Sequence, residues 1–502
     1  MVTRRIHRIR TQIGNPFFLF ATCCLLPSAS FAQISFERTY GGNRGDQGYS
    51  VQQTSDGGYI IAGHSESFDV SIYLIKTDSL GDTLWTRTFG DTLYDVANSV
   101  KQTSDGGYIV VGSTKTSGPQ DVYVIKTNSM GDPIWIKNYG GPMGDAGSSV
   151  QETQDGGFII VGGTDSYGEG GADVYLIKTD AFGDSLWTKT YGDTSSNAGI
   201  SIQKTPSGGY IIGGFSQSSG GMDMDFYLIN TDSAGDTLWS KKYGGIWDEY
   251  GMSVEQTMDE GFVIVGSTQS FGAGNFDVYL VRTDSSGDTL WTKTYGGTGS
   301  EEGRSIQRTS DGGYIISGTK EFWGDFDVYL VKIDSLGDTL WTRTFGDTFG
   351  DWGMSSQETS DGGYVIVGYS ESFGAGGEDV YLIKTAGDGS VGIKEESSRS
   401  KIQKIKVILF HNQPNPFHHS TVIRYQISSI EREKNIENDV TLRIYDLNGR
   451  LVETLVDERQ EPGIYQIQWD GKTSVSPVPT GVYFYRLQSG DFTDTKKLIL
   501  LR

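Results

Sequence analysis

The sequence predicts an all-β fold: a seven-bladed β-propeller followed by a small β-sandwich. Three observations carry that prediction. The phrase TSDGGYII at residues 54–61 returns in near copies, its turn residue recurring at Asp56, Asp105, Asp155, Ser207, Asp259, Asp311 and Asp361, in steps of 49, 50, 52, 52, 52 and 50 residues. A second phrase keeps the same beat, DSLGDTLW ending at Trp85 and its relatives at Trp135, Trp187, Trp239, Trp291 and Trp341. Inside each unit the short runs are β-rich and separated by Gly, Asp and Ser, with no helical period. A unit of about 50 residues means a solenoid, a propeller or an array.

The chain opens on Arg4, Arg5, Arg8 and Arg10, then the apolar run PFFLFATCCLLP at residues 16–27, then Ser30-Phe31-Ala32. This order predicts a secretory signal peptide over residues 1–32, cut before Gln33. The apolar run is shorter than the roughly 20 residues that span a bilayer, so no transmembrane segment is expected in the mature chain. Cys23 and Cys24 both lie in this peptide, so disulfides and thiolate chemistry are excluded from the exported chain. The charge of −22 becomes −26 when the four arginines leave. So acidic a chain repels nucleic acid and anionic lipid, and neither is expected as a partner.

The propeller is expected over residues 33–391. In the second unit four runs follow one another: residues 98–103, YIVVG at 108–112, DVYVIKT at 121–127 and IWIKNYG at 134–140. The Asp-Gly-Gly turn joins the first two as a tight hairpin, and TDSxGD joins the last two, with Gly81 and its repeats in the left-handed region. In DVYLIK, Val174 and Leu176 face one way and Tyr175 and Ile177 the other, so the sheet needs a neighbour on both sides. The first run is more polar, as in Val51, Gln52, Gln53 and Thr54, and suits an innermost strand beside a wet channel. Seven such sheets set radially make a propeller, whereas a linear β-solenoid would not need four strands and two fixed hairpins per turn. The seventh unit ends at Lys384-Thr385 without a Trp-bearing strand, while ISFERTYGG at residues 34–42 aligns with TLWTRTFGD at 83–91, Phe36 replacing Trp85. The N-terminal strand is therefore expected to close the last blade.

The unit resembles the repeats of secreted bacterial β-propellers. Its TDSLGDTLWTRTFG is similar to the tryptophan-docking repeat of quinoprotein propellers and to the Asp-box hairpin of sialidases. The Asp-to-Gly spacing is one residue short of the quinoprotein pattern, and against the sialidases the loops offer only Arg44 and Arg304, no arginine triad. The resemblance implies a fold and no activity.

A polar linker is expected over residues 392–406 and a β-sandwich over 407–502. There NQPNPFHHSTVIRYQI (412–427), VTLRIYDLNGRLVETL (440–455), PGIYQIQWDG (462–471) and PTGVYFYRL (479–487) alternate apolar and polar residues, and Asn448-Gly449 marks a hairpin. Pro414, Asn415, Pro416 and Phe417, the YDLNGR hairpin, Gly481-Val482-Tyr483 and the terminal KKLILLR at 496–502 resemble the C-terminal sorting domain of the type IX secretion system. The scaffold also resembles the immunoglobulin-like domain of flagellar hook-capping proteins. The sorting resemblance implies type IX machinery as partner, passage through the periplasm after cleavage near Ala32, and a final place outside the cell, surface-attached or released.

Catalytic chemistry has little to stand on. His7 lies in the signal peptide and His411, His418 and His419 in the last domain, so His64 is the one histidine of the propeller. A single histidine assembles neither a His/Cys metal cluster nor a Ser/His/Asp arrangement. No catalytic residue, metal or cofactor is assigned, although acidic loops such as GDTFGD at 346–351 are candidates for structural calcium. Carboxylates are so plentiful that glycosidase spacing would arise by accident.

Two classes remain: a non-enzymatic secreted binding or adhesion protein, and a secreted hydrolase or lyase acting on polysaccharide. The alikeness of the units favours the first, since an active site must break symmetry. Both hairpin turns lie at one end of the ring, and the loops that vary lie at the other. Trp247, Trp323 and Trp352 fall there, with Tyr250 and Phe349, among Asp248, Glu249, Asp325 and Asp351. Aromatic faces among carboxylates suit a sugar-stacking platform, so this end is the expected binding site for a glycan or protein ligand.

Overall fold

The computed structural model describes residues 34–501 apart from 69–70, 91–94, 116–118, 218–220, 222, 323, 392–404, 411, 430–437, 448–449, 462, 474–476 and 490–491. The signal peptide, Trp323 and the Asn448-Gly449 turn lie outside the described residues. Seven four-stranded antiparallel sheets come first, and two further sheets of three and four strands follow. The chain divides into two compact units between Lys394 and Glu395.

Blade one shows why these residues form a blade. Its innermost strand, Asp46–Gln53, is half polar and faces the axis, while Tyr59–Ser65 and Ser71–Thr77 are buried on both faces and Thr83–Phe89 forms the outer edge. Each innermost strand contacts those of the two adjacent blades, and Asp351–Glu358 of blade seven contacts Asp46–Gln53 of blade one. The ring is therefore closed, a seven-bladed propeller. The innermost strand lies close against the preceding blade because of glycine: a Cβ on Gly147 would lie 2.5 Å from Val111 Cγ2 of that blade's second strand.

Two fastenings repeat around the ring. Within a blade, a nearly buried lysine of the third strand reaches the turn aspartate: Lys76–Asp56 at 3.0 Å, Lys126–Asp105 at 2.8 Å, Lys178–Asp155 at 2.9 Å, Lys332–Asp311 at 2.9 Å and Lys384–Asp361 at 3.1 Å. Blade five substitutes Arg282 for the lysine, opposite Asp259. Blade four changes both partners, to Ser207 and Asn230, so neither charge is left alone.

Between blades, the tryptophan of each outer strand lies over the left-handed glycine of the next blade's second hairpin. A Cβ on Gly131 would sit 2.7 Å from Trp85, and one on Gly287 2.8 Å from Trp239. A tyrosine hydroxyl completes the clamp on the same turn, as Tyr191 donates to Gly235 O at 2.6 Å and Tyr243 to Gly287 O at 2.6 Å.

The last clamp is made by the first strand. Phe36–Tyr40 pairs antiparallel with Asp379–Thr385, from Phe36 opposite Lys384 to Tyr40 opposite Val380. Phe36 is packed against Gly81 of blade one, and the Tyr40 hydroxyl donates to Gly81 O at 2.6 Å. Phe36 thus stands where the other blades have tryptophan.

The second unit packs the three-stranded sheet of Ile405–Leu409, Thr421–Ser429 and Gly463–Trp469 with the four-stranded sheet of Leu451–Gln460, Asn438–Tyr445, Gly481–Ser489 and Phe492–Leu500. Their common core includes Phe417, Tyr425, Trp469, Tyr485 and Leu498. Here the Pro-Asn-Pro-Phe stretch clasps the last strand: the Ile499 N–H donates to Asn415 Oδ1 at 2.8 Å and the Phe417 N–H to Ile499 O at 3.0 Å.

Phe36→Ala should cost about 3–4 kcal/mol, as for other buried aromatic truncations, whereas Trp239→Ala, at a half-exposed ring, should cost nearer ~2 kcal/mol. Urea unfolding of the two variants checks the order. The turn ion pairs make a second expectation. The Lys178 ammonium and the Thr153 hydroxyl, helped by the Gly157 N–H, hold the Asp155 carboxyl down to about 2 against the upward push of burial. A carboxyl more acidic folded than unfolded stabilises above the unfolded value of about 3.9 and loses that effect as pH falls through the folded one. Asp155→Asn should therefore melt lower than the parent at pH 7, the gap closing between about pH 4 and 2. A gap constant with pH, in melts followed by circular dichroism, would refute the charge account.

Candidate binding face

Each blade has two hairpin turns at one end, while the loops between second and third strands and between blades lie at the other. That second end is held by a ring of buried side chains at the start of each innermost strand. Asp46 Oδ2 accepts the Gly42 N–H at 2.7 Å, Asp145 Oδ2 the Gly141 N–H at 2.8 Å and Glu249 Oε2 the Gly245 N–H at 2.7 Å. In each case a carboxylate folds the between-blade loop back on itself.

Two expected site residues belong to this ring, and the structure corrects their role. Glu249 and Asp351 are fully buried. Asp351 Oδ2 accepts the Asp347 N–H at 3.1 Å and the Ser372 hydroxyl at 2.7 Å. They fasten loops and present no surface to a ligand. Burial and then the Asp325 charge push the Asp351 carboxyl up, beyond what the hydroxyls of Ser370 and Ser372 offset. In the calcium-candidate loop at 346–351, Asp351 is spent on this fastening, and among the described residues no group of three His, Cys, Asp or Glu could hold a metal ion.

The aromatic candidates separate into two kinds. Trp247 and Phe349 are loop tips, 57% and 59% exposed, with backbone N–H groups pinned on Ser270 Oγ at 2.9 Å and Ser372 Oγ at 3.1 Å. They stand two blades apart. Tyr250 and Trp352 are not loop residues: they lie within the innermost strands Glu249–Gln256 and Asp351–Glu358, half-buried. Asp325 likewise begins a strand, Asp325–Ile333, and Asp248 is half-buried, its Oδ1 accepting the Met224 N–H at 2.8 Å.

Around Trp352 the fold assembles rings that the sequence reading passed over. Trp352 stacks on Tyr369 at 4.8 Å between centroids and on Phe326 at 5.9 Å, and Tyr369 meets Tyr49 edge-on at 6.3 Å. These four half-buried rings run across blades six, seven and one. A smaller group joins Phe215, Tyr250 and Phe276. Tyr369 follows the glycine of a second strand where the other units carry His64, Ser113, Gly163, Phe215, Ser267 and Thr319. That position, directly opposite Trp352 in the register, was the available signal.

Polar groups edge the four rings. The Tyr49 hydroxyl donates to Gln47 Oε1, the Gln47 amide to Glu378, and Arg304 pairs with Glu302. Burial, then the Glu378 charge, pushes the Tyr369 phenol up to about 12, against the pull of Arg304. Burial and the neighbouring Tyr369 push Tyr49 higher still. Both phenols are therefore protonated at neutral pH, donors and not bases. His64, the propeller's histidine, sets its Nδ1 2.9 Å from Asp95 O.

The ring axis holds a cavity of about 460 Å³ lined by all seven innermost strands. Every blade contributes a serine to it, from Ser50 to Ser355. Two residues further along each strand the side chain is glutamine in five blades, Lys101 in blade two and Glu255 in blade five.

Residues 413–501 match the family of secretion system C-terminal sorting domains. The chain thus carries a type IX sorting domain and is exported to the cell surface or the extracellular space. No curated protein matches it. Solved structures similar to it include Sqt1 of Chaetomium thermophilum (10% identity, 77% of this chain and 97% of that one, TM-score 0.40). A protein of unknown function from Dyadobacter fermentans is also similar (12%, 70% and 98%, 0.39), as is an ulvan lyase, a polysaccharide lyase (9%, 70% and 97%, 0.47). At these scores the likenesses add nothing to what the strand pairing establishes.

Asp351→Ala should cost about 1–3 kcal/mol by leaving the Asp347 N–H and the Ser372 hydroxyl without their acceptor. Phe349→Ala, two residues away, should stay within about 0.5 kcal/mol. Thermal melts of the two variants distinguish a fastening acid from an exposed ring.

Proposed function

We propose that the protein is a secreted or surface-held binding protein, not an enzyme, whose propeller holds an extracellular glycan. The signal peptide over residues 1–32 takes the chain to the periplasm, and the type IX machinery recognises its last domain. The observation that supports the glycan reading is the line of four rings, Phe326, Trp352, Tyr369 and Tyr49, on the variable end of the ring. Aromatic faces take up the C–H faces of pyranose rings, and the groups at their edge, Gln47, Glu378 and Arg304, suit the hydroxyls. Trp247 and Phe349 extend the same end outward as exposed tips.

With both phenols protonated, the four rings offer donors and stacking faces. Soluble oligosaccharides should quench tryptophan emission of the mature protein. Trp352→Ala should weaken that binding at least tenfold while the protein stays folded. Binding unchanged in Trp352→Ala would remove the rings from the site, and shortening of the oligosaccharide on incubation would make the protein a hydrolase or lyase.

A further inference from the structure

The axial cavity carries an inference that is independent of the glycan reading. Its glutamines have a structural task. Gln52 Oε1 accepts the Gln102 N–H of the next blade at 2.6 Å, Gln307 Oε1 the Glu358 N–H at 2.7 Å, and Gln357 Oε1 closes the circle on the Gln53 N–H at 2.7 Å. Each side chain thereby stitches its blade to the following one. Glu255 does the same: its carboxylate takes the Arg308 N–H and also the amide of Gln203.

Lys101 cannot. An ammonium has no lone pair to offer the corresponding N–H of Glu152, so the stitch from blade two to blade three is missing. Among the described residues Lys101 makes neither a hydrogen bond nor an ion pair, although it lines the cavity. Glu255, three blades round, attracts it only at a distance, and burial lowers its proton affinity. A second cation lines the same cavity. Arg304 spends one end of its guanidinium on Glu302, while its buried Nε–H has no partner. Lys101, with its donors unspent, and Arg304, paired with Glu302, thus line a cavity that also holds nine serines and Glu255, in a protein of net charge −22.

We infer that the axial cavity is a binding site for a small polyhydroxylated oxyanion, such as a sugar acid, whose charged group rests on the Lys101 ammonium and whose hydroxyls meet the serines. Lys101 is half-buried with its ammonium unpartnered, and an anion in the cavity supplies the partner it lacks. The volume of about 460 Å³ falls in the range of small-molecule sites. The anion can be a free sugar acid or the end of an acidic polysaccharide, since both present the same group.

Calorimetry of the mature chain with glucuronate, glucose and sulfate tests the site. Glucuronate should bind, and glucose at least tenfold more weakly. Lys101→Gln should abolish glucuronate binding and at the same time raise the melting temperature, because glutamine supplies the missing stitch. That pairing of lost binding with gained stability is not expected of a lysine with a merely structural role. An oligoglucuronate that binds like the monomer identifies a chain end as the ligand, and one that fails to bind identifies the free acid. Absence of glucuronate binding, its survival in Lys101→Gln, or sulfate binding equally well would overturn the inference.

Discussion

Two-sided burial of the second and third strands governs this structure. In blade one neither Tyr59–Ser65 nor Ser71–Thr77 has a face for water, so a single blade cannot stand alone. A row of such blades always ends in two apolar faces, and only a closed ring has none. Closure is therefore a requirement of the fold and falls on a short N-terminal strand. Phe36–Tyr40 covers the third strand of blade seven and at the same time sets Phe36 against Gly81 of blade one. One segment of five residues joins the two ends of a chain stretch more than three hundred residues long.

The seams show how a repeat tolerates variation. Where a position is involved in a pairwise interaction, both partners change together, as Ser207 and Asn230 do for the Asp–Lys pair of the other blades. Where it is involved in backbone geometry, substitution leaves strain. Glu260 takes φ of 64° at the blade-five turn residue where the other blades have glycine, as at Gly57 with 82°. The left-handed region costs a residue with a Cβ roughly 1–2 kcal/mol, which blade five must offset through its packing.

The two ends of the ring are under different constraints. At the turn end, the first hairpin of every blade but the fourth provides the carboxylate for a lysine or arginine, and the second hairpin the glycine for its neighbour's aromatic ring, so little can change. At the loop end, one buried polar side chain per junction, an acid in six blades and Asn197 in the fourth, does the fastening, and everything beyond it is free to differ. The groups of both proposed sites lie there and along the axis, where a side chain departs from the repeat without breaking a seam. Trp352, Tyr369 and Lys101 are all departures of that kind.

Much of this was legible in the sequence because it rests on short-range regularities. The period of the hairpins, the apolar double face of DVYLIK and the substitution of Phe36 for Trp85 each need only local comparison, and they determine blade count and order of strands. The sorting motif is local too. What a site residue touches is not. Alternation places Tyr250 and Trp352 only if the strand is regular, and the innermost strands carry a register shift, between Gly251 and Ser253 and between Gly353 and Ser355. Tyr49 and Tyr369 are separated by most of the propeller and meet only because the ring closes. Burial of Asp351 and isolation of Lys101 likewise depend on neighbouring blades. The sequence by itself therefore determined the repeat and its closure, which follow from periodicity and pairwise substitution. Only the tertiary structure decided which side chains are spent on the seams and which are left without a partner, because that depends on contacts between blades.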